Sequence, residues 1–440
     1  MTLLKAVISL KVAFHTLGCK VNSYETEAVK TMFENAGFNV TSGDFFSDVT
    51  IINTCTVTNQ SAAKSRKIIR QAIKRNPDAV IAVMGCYAQI EPNQVQAIDG
   101  VDIVIGTTQR QHLLTYVQKV INDRKPMLHV HDVTKYKYFD LLSVTHFKEH
   151  TRAYLKIQDG CDQFCAYCII PYARGPMRSR PKQNVLEEAF NLIQNGYQEI
   201  ILTGIHTGGY GRDLSDYTFT DLCRDISQLN GLKRLRISSI EINQITPELL
   251  SLMTTSDVIV PHLHIPIQSG SNAVLKRMKR DYTVSEFESK IKDIRYHMPT
   301  ISLTTDIMVG FPGETESEFE ETIQTLHRIH FFEMHIFPYS KRQGTLAATA
   351  KEQVLKPIKT LRVHQLMTLN RQFALAYIES LKNCEQTVLF EHCDGTSCQG
   401  YTQNYVQVKV TTDQNLENTM HTVRIDTVDY PQSQATIIKN

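Results

Sequence analysis

The sequence predicts an α/β protein in three parts: an open parallel-sheet α/β domain, a partial (β/α)6 barrel, and a small antiparallel β-barrel. Three observations predict it. Short β-branched runs alternate with helical periods through the opening part of the chain, six strand-plus-helix repeats follow, and Val-rich alternating stretches without helices close it.

In the first part, the runs 12–17, 49–52, 80–83 and 101–105 are short, apolar and β-branched, as parallel strands buried on both faces are. Cys19 follows the first run through Gly18, Cys55 the second through Asn53-Thr54, and Cys86 the third through Gly85. All three fall at strand carboxyl ends, the edge where doubly wound sheets collect ligands. A buried core thiol is the common alternative. Small residues beside each cysteine leave room for close backbone approach, which favours a three-thiolate cluster site.

A polar stretch rich in Lys, His, Asp and Tyr then marks a boundary. It divides the chain into 1–125, a linker 126–149, a core 150–380 and a terminal domain 381–440. Strands are expected at 153–157, 199–203, 232–238, 258–265, 301–309 and 333–337, with helices such as 183–195, 285–296 and 316–329 between them. Six such units form an incomplete barrel, whose chemistry gathers on the loops after the strands. The first of these loops reads Gly160-Cys161-Asp162-Gln163-Phe164-Cys165-Ala166-Tyr167-Cys168. Its C-x3-C-x2-C spacing offers three thiolates. Iron–sulfur cubanes are normally closed by four, so one metal position is left open for a small ligand, as in catalytic zinc sites. A non-enzymatic zinc or nucleic-acid-binding module, using this loop and a histidine, is the reading from another class.

Residues 350–382 read as helical, and 386–390, 405–410 and 422–428 as strands of the terminal domain. Its Cys384, Cys393 and Cys398 have only the isolated His392 nearby and are expected to be plain thiols. With 42% hydrophobic and 21% charged residues the chain is neither disordered nor membrane-spanning. Residues 1–10 are too few for a signal peptide. Ten cysteines without a secretory signal then argue for reduced, metal-binding thiols and a cytoplasmic location.

The formal charge is only +2, so any nucleic-acid surface must be local. Residues 61–75 carry Lys64, Arg66, Lys67, Arg70, Lys74 and Arg75 with no acid, and Lys67, Arg70 and Lys74 share one helical face. Arg174, Arg178, Arg180 and Lys182 follow the cysteine loop, and Lys276, Arg277, Lys279 and Arg280 form a third cluster. Charge runs are usually solvated faces, but these would ring the barrel mouth as phosphate binding requires. Residues 381–440 carry four Lys or Arg against seven Asp or Glu. An acidic terminal barrel would have to bind RNA through shape and stacking by Tyr401 or Tyr405; the expectation adopted is that the other domains supply the electrostatics.

The segment Arg152-Ala153-Tyr154-Leu155-Lys156-Ile157-Gln158-Asp159-Gly160-Cys161, with Gly175 and Arg178-Ser179-Arg180 behind it, resembles the radical S-adenosylmethionine methylthiotransferases. So do Leu202-Thr203-Gly204, Ile265-Pro266-Ile267-Gln268-Ser269-Gly270, Gly310-Phe311-Pro312-Gly313-Glu314-Thr315 and His335-Ile336-Phe337-Pro338-Tyr339-Ser340. Thr16-Leu17-Gly18-Cys19-Lys20-Val21-Asn22, Asn53-Thr54-Cys55 and Met84-Gly85-Cys86-Tyr87 extend the match to the amino terminus, and the terminal segment is similar to the TRAM barrel. The Gly18-Cys19-Lys20-Val21-Asn22 form resembles the bacterial branch acting on N6-threonylcarbamoyladenosine in tRNA.

That resemblance implies two 4Fe–4S clusters. Cys161, Cys165 and Cys168 would hold the radical cluster, whose open iron takes S-adenosylmethionine, and Cys19, Cys55 and Cys86 an auxiliary one. Thr203, Gly204, Ser239, Glu241 and Gln268 would contact S-adenosylmethionine. Ile205-His206-Thr207 departs from the expected pattern, where relatives often carry an amide, so His206 is expected to be a local hydrogen-bonding residue. An electron from a low-potential cluster, supplied by a donor such as flavodoxin or ferredoxin, would split the sulfonium to give a radical. The product would be a methylthio group on carbon 2 of the adenine at position 37. Alternatives within the family are isopentenyladenosine in tRNA and an aspartate of a ribosomal protein. RNA-binding candidates are Lys67, Arg70, Lys74, Arg174, Arg178, Arg180, Lys276 and Arg277, and a monomer is expected.

Overall fold

The computed structural model describes residues 10–42, 46–147 and 150–439, so all but the last residue of the opening segment 1–10 lies outside the described residues. Strands β1 (Lys11–Thr16), β2 (Asn39–Ser42), β3 (Val49–Thr54), β4 (Val80–Gly85), β5 (Ile103–Ile105) and β6 (Met127–His129) form one sheet in the order β2-β1-β3-β4-β5-β6. Every pairing in it is parallel. β3 and β4 are buried along their whole lengths, because helices cover both faces. The four predicted strands are its centre. The edge strands β2 and β6 were not anticipated, being short and partly polar.

The expected linker 126–149 is a further correction. It supplies β6 and buries Val133, Leu142, Val144 and Phe147 against the other domains. Its polar composition concealed a well-packed apolar subset.

The central domain is a six-stranded parallel arc: β7 (Ala153–Lys156), β8 (Glu199–Thr203), β9 (Arg234–Ile237), β10 (His262–His264), β11 (Ser302–Val309) and β12 (Glu333–Pro338). β7, β8 and β9 form one ladder and β10, β11 and β12 another. Parallel bridges Leu235–Ile259 and Ser239–His264 join the two into a partial barrel. Helices Val284–His297 and Glu316–Ile329 each begin with a capping box, Thr283 with Glu286 and Thr315 with Glu318, which satisfies amide groups that a helix start leaves free.

Helix Lys356–Leu381 leads into β13 (Glu385–Cys393), β14 (Ser397–Thr402), β15 (Gln407–Thr411), β16 (Met420–Thr427) and β17 (Gln432–Lys439). These close a barrel in the order β13-β14-β15-β17-β16. One of its pairings, β15 with β17, is parallel, so the barrel is not wholly antiparallel as expected. Cys393 and Cys398 are also not plain thiols: the β13–β14 register sets them opposite each other and they form a disulfide, leaving Cys384 exposed and free. Among the described residues no helix is long and apolar enough to cross a membrane.

Candidate functional site

β1, β3 and β4 are adjacent in the sheet and in register at their ends, Thr16 with Asn53 and Thr54 with Gly85. The cysteines that follow them are therefore brought to one edge. Gly85 turns the chain at φ 99°, and a side chain there would strike the Asn53 amide and the Thr54 backbone. Cys19 is exposed, while Cys55 and Cys86 are buried. The three are close enough that Cys55 and Cys19 both act on the titration of Cys86, whose thiol burial pushes up to about 11.

The second trio lies on the loop after β7. Gly160, at φ 75°, admits the loop against the Gly175–Pro176 carbonyls, one of which would lie 2.0 Å from any Cβ. Cys161 accepts from the Gln163 amide at 3.4 Å and meets His206 Nδ1 at 3.5 Å, and Cys165 accepts from Arg280 Nη1 at 3.5 Å. The Ala166 amide donates to Met278 and its carbonyl accepts from Ala347, which clamps the loop from two sides. Burial raises Cys161 to about 11 and Cys168 to about 12. Neutral when alone, such thiols become ligands when a metal supplies the positive charge. Both trios fit a cluster held by three thiolates.

Beside the first trio lies a cavity of about 600 Å³, lined by Cys19, Lys20 and Val21 on one side, by Thr203, Gly204 and Ser239 on another, and by Arg236, His262, His264, Asp306, His335 and Tyr405 towards its floor. Three of the five residues expected to contact S-adenosylmethionine are thus on one wall. Glu241 instead ion-pairs with Arg280, the partner of Cys165. Gln268 is buried, has a left-handed backbone at φ 64°, and leaves Oε1 without a partner. His206 is a local hydrogen-bonding residue, its amide donating to Gln158 Oε1 at 2.7 Å and its ring held between Cys161 and Gln244.

The basic residues behave differently from expectation. Lys67, Arg70 and Lys74 project from helix Asn59–Arg75 into solvent, with Ile69 and Ala72 beneath. Lys276 and Arg277 are exposed, though Arg277 is paired with Glu318. Arg174, Arg178 and Arg180 are buried and do not line an RNA surface. Arg174 Nε donates to Cys86 Sγ at 3.3 Å, its Nη1 pairs with Glu25 and Asp159, and its Nη2 donates to Asn22 at 2.8 Å. Arg178 donates to the carbonyls of Arg174 and Pro176, and Arg180 pairs with Glu188 at 2.6 Å. Adjacent charges in sequence gave no sign of these buried acids. Tyr401 and Tyr405 are likewise committed, stacked on each other and on Arg152, with Tyr405 also over Arg236.

Residues 11–106 match the family described as "Uncharacterized protein family UPF0004", and residues 155–326 match the Radical SAM superfamily. The chain is 46% identical over 434 residues to the threonylcarbamoyladenosine tRNA methylthiotransferase MtaB of Bacillus subtilis, covering 97% of this chain and 96% of that one. The chain belongs to the radical S-adenosylmethionine methylthiotransferase family. Enzymes of this family take two 4Fe–4S clusters and S-adenosylmethionine, which agrees with two cysteine trios and a cavity that Cys19 lines. Another relative, the tRNA-2-methylthio-N(6)-dimethylallyladenosine synthase of Moorella thermoacetica, is 34% identical over 93% of this chain and 94% of its own. The fold is shared with the radical S-adenosylmethionine methyltransferase TsrM of Kitasatospora setae, with a TM-score of 0.58, 15% identity, and coverage of 78% of this chain and 77% of that one.

Proposed function

We propose that this chain transfers a methylthio group to carbon 2 of N6-threonylcarbamoyladenosine at position 37 of tRNA. The observation that carries this reading is the near full-length identity to MtaB, whose name states that nucleoside. The geometry supports the reaction class. Cys19 from one trio and Thr203-Gly204, downstream of the other trio's loop on the next strand, face one cavity. The hydrogen on carbon 2 of adenine is beyond any side-chain base, and the clusters with S-adenosylmethionine supply the radical chemistry that removes it.

In this reading Cys161, Cys165 and Cys168 hold the radical cluster, and Cys19, Cys55 and Cys86 the auxiliary one. Thr203, Gly204 and Ser239 orient S-adenosylmethionine from the cavity wall, and Gln268 offers its free Oε1. Arg280 donates to a cluster thiolate while Glu241 holds it in place. Lys67, Arg70, Lys74 and Lys276 present phosphate-binding charge at the surface. The domains divide near residues 150 and 381. The enzyme works in the cytoplasm, as a monomer, with electrons from a low-potential protein donor.

Nucleoside mass spectrometry of tRNA from cells lacking the chain tests the substrate: the 2-methylthio derivative of N6-threonylcarbamoyladenosine should disappear. Its retention, with loss of the methylthiolated isopentenyl nucleoside, would favour the activity named for the Moorella relative.

A further inference from the structure

Lys20 and Arg236 both line the cavity, and a group of arginines and carboxylates lies behind Arg236. Arg152 pairs with Glu391, and Arg234 and Arg236 share Glu199. Lys20 reaches the same region from the amino-terminal domain, where Tyr405, Arg152, Arg236 and Glu199 act on its charge. It is half-buried, and among the described residues it has neither a hydrogen bond nor an ion pair. Of these four cations, Lys20 is the one without a carboxylate partner. Two carboxylates also line the cavity: Asp306 lies between His264 and His335, and Glu333 accepts from the Tyr430 hydroxyl.

Two buried nitrogens at this end are also without a partner. Arg236, 1% exposed, leaves Nη2 without a partner, and His262, 5% exposed, leaves Nδ1 without one while its Nε2 meets Thr304 at 3.2 Å. Buried polar atoms of this kind are rare without a ligand or water. An unpaired ammonium on the lining, beside the Arg236 guanidinium, is a donor set for a carboxylate.

The substrate's shape says which carboxylate. A nucleoside enters a pocket with its sugar outermost, because the ribose remains joined to the RNA. The Watson–Crick edge of adenine, bearing both carbon 2 and the N6 substituent, therefore leads. With carbon 2 at the level of Cys19 and Thr203, the N6 arm points at the floor. We infer that Lys20, beside Arg236, receives the carboxylate of the N6-threonylcarbamoyl arm, with Lys20 as the specificity-determining residue. This rests on the substrate proposed above.

The test uses full-length enzyme with both clusters reconstituted anaerobically, as wild type, Lys20→Gln and Lys20→Arg. Binding is measured for two tRNAs that differ only at position 37, one with N6-threonylcarbamoyladenosine and one with adenosine. Wild type should prefer the modified tRNA by about 100-fold, Lys20→Gln should bind both alike, and Lys20→Arg should recover most of the preference. Iron content and affinity for S-adenosylmethionine should be equal in all three. A Lys20→Gln protein that keeps the wild-type preference overturns the inference. So does one whose affinity for S-adenosylmethionine falls while the tRNA preference stands, which would assign Lys20 to the methionine carboxylate instead. If wild type itself neither prefers nor methylthiolates the modified tRNA, the substrate reading fails, and the inference with it; that outcome is read from wild type alone.

Discussion

Arg174 shows how far a residue's surroundings can reverse its sequence-level meaning. In the sequence it is one of four basic residues behind a metal loop. In the fold it is fully buried, joins the Cys86 thiol to the central domain, and shares Glu25 with Lys156 and Arg110. Removing one member of a buried ion pair leaves an uncompensated charge, at a cost of about 3–5 kcal/mol. Arg174→Ala should therefore lower the denaturation midpoint sharply while leaving the salt dependence of tRNA binding unchanged. A lost salt slope with intact stability would restore the RNA-binding role. The cysteines allow a cleaner count: Cys161→Ser and Cys19→Ser should each reduce iron from about eight to about four per chain, with different electron paramagnetic resonance spectra remaining. Iron unchanged in either variant would remove that trio from the assignment.

At the scale of elements, periodicity carried the reading well where burial was regular. Strands 199–203 and helix 316–329 coincide with Glu199–Thr203 and Glu316–Ile329, because continuous apolar runs and a Thr-x-x-Glu cap are local signals. Asn39–Ser42 at a sheet edge and Ser397–Thr402 within the barrel were missed, since their neighbours rather than their own composition hold them. Helix Asn59–Arg75 was legible as an amphipathic element with a basic face. Replacing Lys67, Arg70 and Lys74 by Glu should weaken tRNA binding and flatten the logarithmic salt slope by about two to three, near 0.7–0.9 per lost phosphate contact. An unchanged slope in filter-binding titrations would place the RNA elsewhere.

For the whole molecule, the junction between the amino-terminal sheet and the barrel is ionic. Burial alone would raise the Glu25 carboxyl, but Arg110, Arg174 and Lys156 together hold it at about 2, below its ordinary 4.5. A depressed folded-state value means that the carboxylate stabilises the native state fully above about pH 4.5. That contribution is lost as pH falls towards 2. Denaturation by urea should therefore show stability dropping through this window, and Glu25→Gln should flatten the dependence. An equal pH profile for both proteins would show that the junction does not depend on this carboxylate.

The sequence by itself determined the α/β class, the three-part order and the positions of both cysteine trios, because each depends on local spacing and periodicity, and its motifs carried the resemblance to the family. Only the tertiary structure decided which charges are surface and which are structural, which rings are free to stack, and that Lys20 lines one cavity with Arg236 and His262. The physical reason is that burial and pairing are set by partners distant in the chain. Glu25 and Arg174, 149 positions apart, meet only after the sheet and the barrel have packed.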